Sequence, residues 1–99
     1  MAKYVLTNKA VNDLSDIWNY TYETWSENQA DKYYELLVSG FKEVAKKPLI
    51  GKAYTELSTK IRGFKAGKHI IFYREINVKQ VEIVRILHNQ MDLKSRMND

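Results

Sequence analysis

The residues of this sequence best suited to carry out a reaction are three arginines and a histidine in its second half. Arg62, Arg74 and Arg85 could hold a phosphate, and His88 could act as a general acid or base, with Glu56 as another candidate base. RNA cleavage needs such a set: a base for the 2′-hydroxyl, an acid for the leaving 5′-oxygen and cations for the phosphate. Alternatively, the arginines pair with acidic groups of a partner, and His88 only forms local hydrogen bonds.

Other chemistries are excluded by what the sequence lacks. It contains no cysteine, so a disulfide, a thiolate nucleophile and a Cys-based metal site are impossible. No spacing of His, Asp or Glu resembles a metal site, and Gly63 and Gly67 belong to turns rather than to a phosphate loop. We therefore expect neither a metal nor a cofactor. A cytoplasmic location is expected, because the apolar pattern contains neither a signal peptide nor a membrane helix.

The charge balance is mildly basic. A net charge of +4 over 99 residues suits an acidic partner such as nucleic acid, a ribosome or an acidic peptide. It is equally typical of a solvated surface, because the lysines are spread along the chain. The length favours a single domain, 1–99, with residues 88–99 as a polar C-terminal tail.

The first half of the sequence predicts two helices, which must help to position the candidate residues. Apolar residues recur at helical spacing over about residues 8–25, and Thr7 and Asn8 before them are potential helix caps. The same helical spacing predicts that Asp13 faces outward. Ser26 begins a capping box, and a second amphipathic helix follows it and ends at Pro48. The short connection predicts an antiparallel helical hairpin.

Aromatic residues crowd this hairpin. Trp18 and Trp25 lie on the apolar stripe and are most often packed in a core, although Trp25 at the tip could bind a partner. The tyrosines, which tolerate half-burial, could be packed or could form an edge for a partner helix; they are Tyr20, Tyr22, Tyr33 and Tyr34.

The second half of the chain changes to the period of strands. Residues 49–59 read as a loop, followed by strands over 61–65, 69–75 and 80–87, joined by short turns. Strict alternation in the last strand places Val81, Ile83 and Leu87 on one face and Val84 and Ile86 on the other, as in an interior strand. The fold class is therefore α+β, in the order β-α-α-β-β-β. The hairpin covers one face of a small, mainly antiparallel sheet and leaves the other face at least partly open.

The ordered set of these segments resembles the ParE branch of the RelE/ParE toxin superfamily over about residues 4 to 92. The paired strand patterns and the Arg-Ile-Leu-His … Met-Asp close are its most specific parts. The matching segments are Ala10, Asp13-Leu14, Ile17, Tyr20-Thr21, Trp25, Gln29-Ala30, Tyr33, Pro48, Gly51, Arg62, His69–Arg74, Ile83–His88 and Met91-Asp92.

This resemblance implies the toxin of a type II toxin–antitoxin pair, which is not an enzyme. Such toxins stabilise the complex of DNA gyrase with cleaved DNA. A ParD-like antitoxin, with a ribbon-helix-helix head and a flexible tail, neutralises them, and the complex contacts operator DNA through the antitoxin. On this reading His88, Met91 and Asp92 contact the target. The antitoxin-binding residues would be Tyr22, Trp25, Tyr34, Arg62, Arg74 and Arg85.

Two alternatives stay open at this point. The sister branch of RelE-like toxins cleaves messenger RNA on the ribosome, and would here use Arg62, Arg74, Arg85 and His88. That branch favours more clustered lysines and a C-terminal tyrosine, whereas no tyrosine follows Tyr73 in this chain. The other alternative is a non-toxic partner that only helps an antitoxin to repress its operon.

Overall fold

The computed structural model describes residues 3–55, 57 and 60–90. Within them a helical hairpin is followed by a β-meander. The elements in chain order are β1 (Lys3–Leu6), α1 (Asn8–Thr24), α2 (Glu27–Lys46), β2 (Lys52–Ala53), β3 (Arg62–Ala66), β4 (His69–Asn77) and β5 (Gln80–His88).

Side-chain caps fix the beginnings of both helices. The Thr7 hydroxyl accepts the backbone N–H of Ala10 at 3.0 Å, and the Ser26 hydroxyl accepts that of Gln29 at 3.1 Å. Each cap satisfies one of the N–H groups that the first turn of a helix leaves without a partner. Only Trp25 and Ser26 separate the helices, which confirms the predicted hairpin.

The described strands form one sheet in the order β1-β5-β4-β3-β2. The meander β3-β4-β5 is antiparallel, whereas β1 lies parallel to β5 and makes β5 an interior strand. The predicted α+β class and mainly antiparallel sheet are confirmed. The prediction that residues 49–59 form only a loop was wrong, because Lys52 and Ala53 pair with β3 as a short edge strand.

The main core lies between the hairpin and one face of the sheet. Leu37, Phe41 and Val44 of α2 are fully buried against Ile71 and Ile83. Each such side chain contributes about 1.5–3 kcal/mol through the hydrophobic effect. Gly40 lets α2 approach the sheet closely: a Cβ there would lie 2.5 Å from Ile71 Cδ1, so the end of the Ile71 side chain would have to move.

A β-bulge reverses the alternation along β5. Phe72 is opposite Arg85 and Tyr73 is opposite Ile83, so Val84 is an extra residue in the ladder. As a result Ile86 joins Val81 and Ile83 in the main core, whereas Leu87 and Val84 lie in a second cluster. The predicted faces of Ile86 and Leu87 were therefore wrong.

The far face of the sheet carries that second cluster. Phe72 is fully buried there beside Ile70, and the Tyr54 ring meets it edge-on at 5.1 Å between centroids. Leu57, from the segment after β2, packs on the same cluster. The far face was expected to be at least partly open, and this segment covers its centre.

The hydroxyl of Tyr73 ties the α2–β2 loop to the main core. It donates to the Pro48 carbonyl at 2.7 Å and accepts the Gly51 N–H at 2.9 Å, and the Tyr73 side chain is fully buried. Burial, partly offset by the Gly51 hydrogen bond, raises the pKa of Tyr73. The hydroxyl therefore stays protonated and able to donate.

We predict that Tyr73→Phe lowers the free energy of unfolding by about 1–3 kcal/mol, because it leaves two buried backbone groups without their partner. Tyr20→Phe is the matched control, since Tyr20 is 67 % exposed and should change stability by less than about 0.5 kcal/mol. Chemical denaturation measures both variants. Equal stability of the two would contradict the role given to the Tyr73 hydroxyl.

Candidate functional site

A groove runs between α1 and α2 on the surface of the hairpin. Its lining comes from both helices and encloses about 500 Å³ of open space. The lining residues are Val11, Leu14, Ser15, Trp18, Asn19, Asp31 and Tyr34. The groove is therefore broad and open, a shape suited to a partner segment.

The groove is continued by exposed aromatic side chains, and we call Val11, Trp18, Tyr22, Trp25 and Tyr34 the aromatic face. Trp25 is 72 % exposed and Tyr22 50 % exposed, whereas Trp18 is half-buried. The Trp18 indole N–H donates to Asp31 Oδ1 at 3.1 Å, and the Tyr22 ring stacks on Trp18 at 5.3 Å. Contiguous exposed apolar surface of this kind typically marks an interaction site.

The same end of the hairpin is acidic. Glu27, Asp31 and Glu35 form a row of exposed carboxylates along α2, on the side where Asp31 lines the groove, with Lys32 as a basic neighbour, whereas the exposed Asp16 and Glu23 lie on the Tyr20 side of α1. A partner that docks there gains from apolar residues flanked by basic ones.

An ion pair joins α1 to the end of β5. Arg85 donates from Nε to Asp13 Oδ2 at 2.7 Å and from Nη2 to Oδ1 at 3.0 Å, and Asp13 Oδ2 also accepts the Ile86 N–H at 3.0 Å. The two side chains are only 11 % and 13 % exposed, so water screens the pair weakly. The outward position predicted for Asp13 was wrong.

Two histidines and a tyrosine lie at the end of the sheet near this pair. The Tyr33 hydroxyl accepts the Lys68 N–H at 2.9 Å and forms a 2.6 Å hydrogen bond with His69 Nδ1. The rings of His69 and His88 meet edge-on at 5.3 Å. Burial, and then the neighbouring His88, lower the pKa of His69 to about 4. His69 is therefore neutral near pH 7 and contributes no cation for a phosphate.

The other two candidate arginines, Arg62 and Arg74, lie elsewhere on the sheet. Arg62 donates from Nη1 to the Gly51 carbonyl at 2.8 Å, and Arg74 forms an ion pair with Glu82 at 2.8 Å. The Arg74 side chain is 48 % exposed and could exchange this contact for one with a partner.

The structure does not bring the candidate ribonuclease residues together. Glu82, the partner of Arg74, is six residues before His88 on β5, which is a separation of about 20 Å along the strand. Arg85, three residues before His88 on β5, is held by Asp13. Phosphate cleavage needs an acid, a base and cations within a few ångströms of one phosphate, and this spacing does not provide it. Glu56, Met91 and Asp92 lie outside the described residues.

Sequence reasoning missed the Asp13–Arg85 ion pair and the hydrogen bond between Tyr33 and His69. Helical periodicity assigned Asp13 to solvent, and His69 could be read only as the first residue of a strand. One feature of the sequence could have indicated the ion pair: an acidic residue on the first helix together with an arginine in the last strand. The bulge at Val84, which strict alternation does not predict, determines which residues of β5 meet α1.

Within residues 3–55, 57 and 60–90, no group of three potential metal ligands occurs. No helix in the same part of the chain is long and apolar enough to span a membrane.

Comparison with known proteins gives consistent similarities. The family model described as ParE toxin of type II toxin-antitoxin system, parDE, matches residues 4–93. Toxin ParE1 of Mycobacterium tuberculosis is 35 % identical over 92 residues, covering 93 % of this chain and 94 % of that protein. Toxin ParE1 of Caulobacter vibrioides is 34 % identical over 97 residues, covering 98 % and 99 %.

A solved structure shares the fold. A chain described as belonging to the chromosomal ParDE TA system from P. aeruginosa superposes with a TM-score of 0.74. The match covers 89 % of this chain and 95 % of that one, at 20 % identity. At that identity the likeness supports the arrangement of helices and sheet.

We predict that Asp13→Asn lowers the free energy of unfolding by about 2–4 kcal/mol, because Arg85 keeps its charge in a poorly solvated position and loses its counter-ion. Asp16→Asn, an exposed change on the same helix, should cost less than about 0.5 kcal/mol. Urea denaturation at neutral pH measures the difference. Asp13→Asn as stable as Asp16→Asn would refute the importance of the ion pair.

Proposed function

This chain belongs to the ParE toxin family of type II toxin–antitoxin systems, and from that premise we propose that it inhibits DNA gyrase without catalysing a reaction. In this proposal it stabilises the complex of gyrase with cleaved DNA in the bacterial cytoplasm. The observation that favours binding over catalysis is the dispersal of Arg62, Arg74 and His88, with Arg85 engaged by Asp13.

A gyrase supercoiling reaction tests this proposal. We predict that the purified chain lowers supercoiling of a plasmid and that linear DNA accumulates after gyrase is denatured and digested. The linear product is expected because a trapped complex holds both DNA strands cut.

The alternative mechanism is tested with the same preparation of protein. Messenger RNA on translating ribosomes should remain uncut in its presence. Cut messenger RNA together with unchanged supercoiling would replace this proposal with the RelE-like ribonuclease. If neither reaction is affected and the chain alone leaves bacterial growth normal, a non-toxic co-repressor is the better description.

The proposed neutralising partner is a ParD-like antitoxin that covers the aromatic face. The groove between two helices suits an amphipathic helix, which would place apolar residues about one turn apart along it. Acidic groups at the hairpin tip favour basic residues beside that apolar stripe. Trp25, Tyr22 and Tyr34 are then the side chains that lose most water on binding, as in interfaces dominated by aromatic residues.

The arginines and the end of β5 have separate roles in this proposal. Arg62 and Arg74, the latter through its exposed side chain, bind acidic groups of the antitoxin tail. Arg85 supports the site by holding Asp13. His88, Met91 and Asp92 are proposed to contact the target.

We predict that Tyr22→Ala weakens binding of the purified antitoxin about 10- to 100-fold, because it removes a ring stacked on Trp18 in the middle of the aromatic face. Tyr20→Ala is the matched control: Tyr20 is on the same helix and more exposed, but it is half a helical turn away from the stripe through Val11, Trp18 and Tyr22. Isothermal titration calorimetry measures both affinities. Equal losses of antitoxin affinity in the two variants, or no loss in either, would contradict the proposal that the antitoxin binds the aromatic face.

A further inference from the structure

Lysines gather at the end of the molecule where β1 begins and α2 ends. Lys3, Lys42 and Lys46 line a shallow pocket together with Tyr4 and Ala45. Lys47 caps the C-terminus of α2, and the Lys79 carbonyl accepts the N–H of Lys3 at 2.9 Å. We call these five lysines the lysine end.

Charge is segregated along the hairpin. The tip carries the acidic groups around the aromatic face, whereas the lysine end is at the opposite end of α2. Carboxylates near the lysine end include the half-buried Glu43, the exposed Glu75, and Glu82, which is opposite Val5 of β1 and is paired with Arg74. The positive groups therefore outnumber the negative ones there, and the end attracts a polyanion.

The composition of the lysine end favours nucleic acid over a protein partner. Lysine is depleted in protein–protein interfaces, which depend on protruding aromatic or arginine side chains. Here the Tyr4 ring packs on Phe41 at 5.4 Å, and Ala45 is buried, so the floor of the pocket offers no such anchor. Exposed apolar side chains do occur nearby, Val78 beside Lys79 and Leu49 two residues after Lys47, but neither lines the pocket between the lysines.

Lysine ammonium groups on flexible side chains suit the phosphate backbone. Lys42 and Lys46 are one helical turn apart, about 6 Å along the axis of α2, and Lys3 approaches them from the edge strand. Contacts of this kind are independent of sequence, because phosphates carry no information about the bases. They also release counterions, so the affinity falls steeply with salt.

We propose that the lysine end binds the phosphate backbone of duplex DNA. The inference rests on the proposed function, in which the chain acts on a gyrase–DNA complex, and it assigns the DNA contact to a surface at the other end of α2 from the aromatic face.

The test is fluorescence anisotropy of a labelled short DNA duplex titrated with the antitoxin-free chain at several salt concentrations. The triple variant Lys3→Ala, Lys42→Ala, Lys46→Ala should bind on the order of tenfold more weakly or worse, and its salt dependence should be shallower by about 2.7 in log–log slope. The control variant Lys9→Ala, Lys32→Ala, Lys65→Ala removes the same charge from exposed positions outside the lysine end. It should keep its affinity within about threefold, and thermal unfolding checks that both variants fold.

Three results would overturn the inference. The first is equal loss of affinity in the two variants, which would reduce the effect to net charge. The second is no binding of the duplex by the unmodified chain at low salt. The third is displacement of the duplex by polyglutamate as effectively as by unlabelled DNA, which would assign the surface to an acidic protein.

The gyrase reaction distinguishes failure of this inference from failure of the proposed function. Suppose that the unmodified chain traps cleaved DNA and that the triple variant binds duplex and traps cleaved DNA equally well. This result would contradict only the proposal that the lysine end binds DNA. A chain that leaves gyrase unaffected, with a triple variant that loses duplex binding, contradicts only the gyrase target.

Discussion

The fold depends on how α1 closes the open edge of β5. Strand β1 pairs with β5 only as far as Leu6 opposite Ile83. Beyond that point Thr7 donates its hydroxyl proton to the Val84 carbonyl at 2.8 Å, and Asp13 accepts the Ile86 N–H. The chain thus ends β1 and begins α1. Side chains at the start of α1 then form the hydrogen bonds that the backbone of Val84 and Ile86, further along the same sheet edge, needs. Arg85 neutralises Asp13 at little cost in side-chain freedom, because the carboxylate is already fixed by the backbone bond.

This closure also determines which residues the hairpin shows to solvent. With α1 fixed along β5, Ala10, Leu14 and Ile17 pack towards the sheet. The stripe through Val11, Trp18 and Tyr22 must then face away from it, beside Tyr34 of α2. Within the described residues Val11 and Tyr22 stay about half exposed. The aromatic face is therefore a consequence of the same packing that builds the core.

The sequence predicted the elements well and their side-chain partners poorly, for a physical reason. Caps at Thr7 and Ser26, the helix end near Pro48 and the three meander strands are encoded by neighbouring residues, so local patterns predict them. The parallel pairing of β1, the two-residue β2 and the bulge at Val84 depend on residues far apart in the chain. Strict alternation therefore gave the wrong faces for Ile86 and Leu87, and helical periodicity alone gave the wrong environment for Asp13, whose partner Arg85 is 72 residues away in the chain. The predicted roles of Trp25, Arg62 and Arg74 in binding stay predictions.

If the antitoxin binds the aromatic face and DNA binds the lysine end, the separation of these two surfaces along α2 affects how the toxin is neutralised. Twenty residues of helix span about 30 Å, with the acidic, aromatic tip at one end and the lysine end at the other. An antitoxin segment in the groove of the aromatic face does not need to cover the lysines. Neutralisation would then not depend on covering the lysine end, and the bound toxin would keep that basic end exposed. That arrangement is compatible with an antitoxin–toxin complex resting on operator DNA, since the lysine end adds attraction for phosphates without contributing any base recognition.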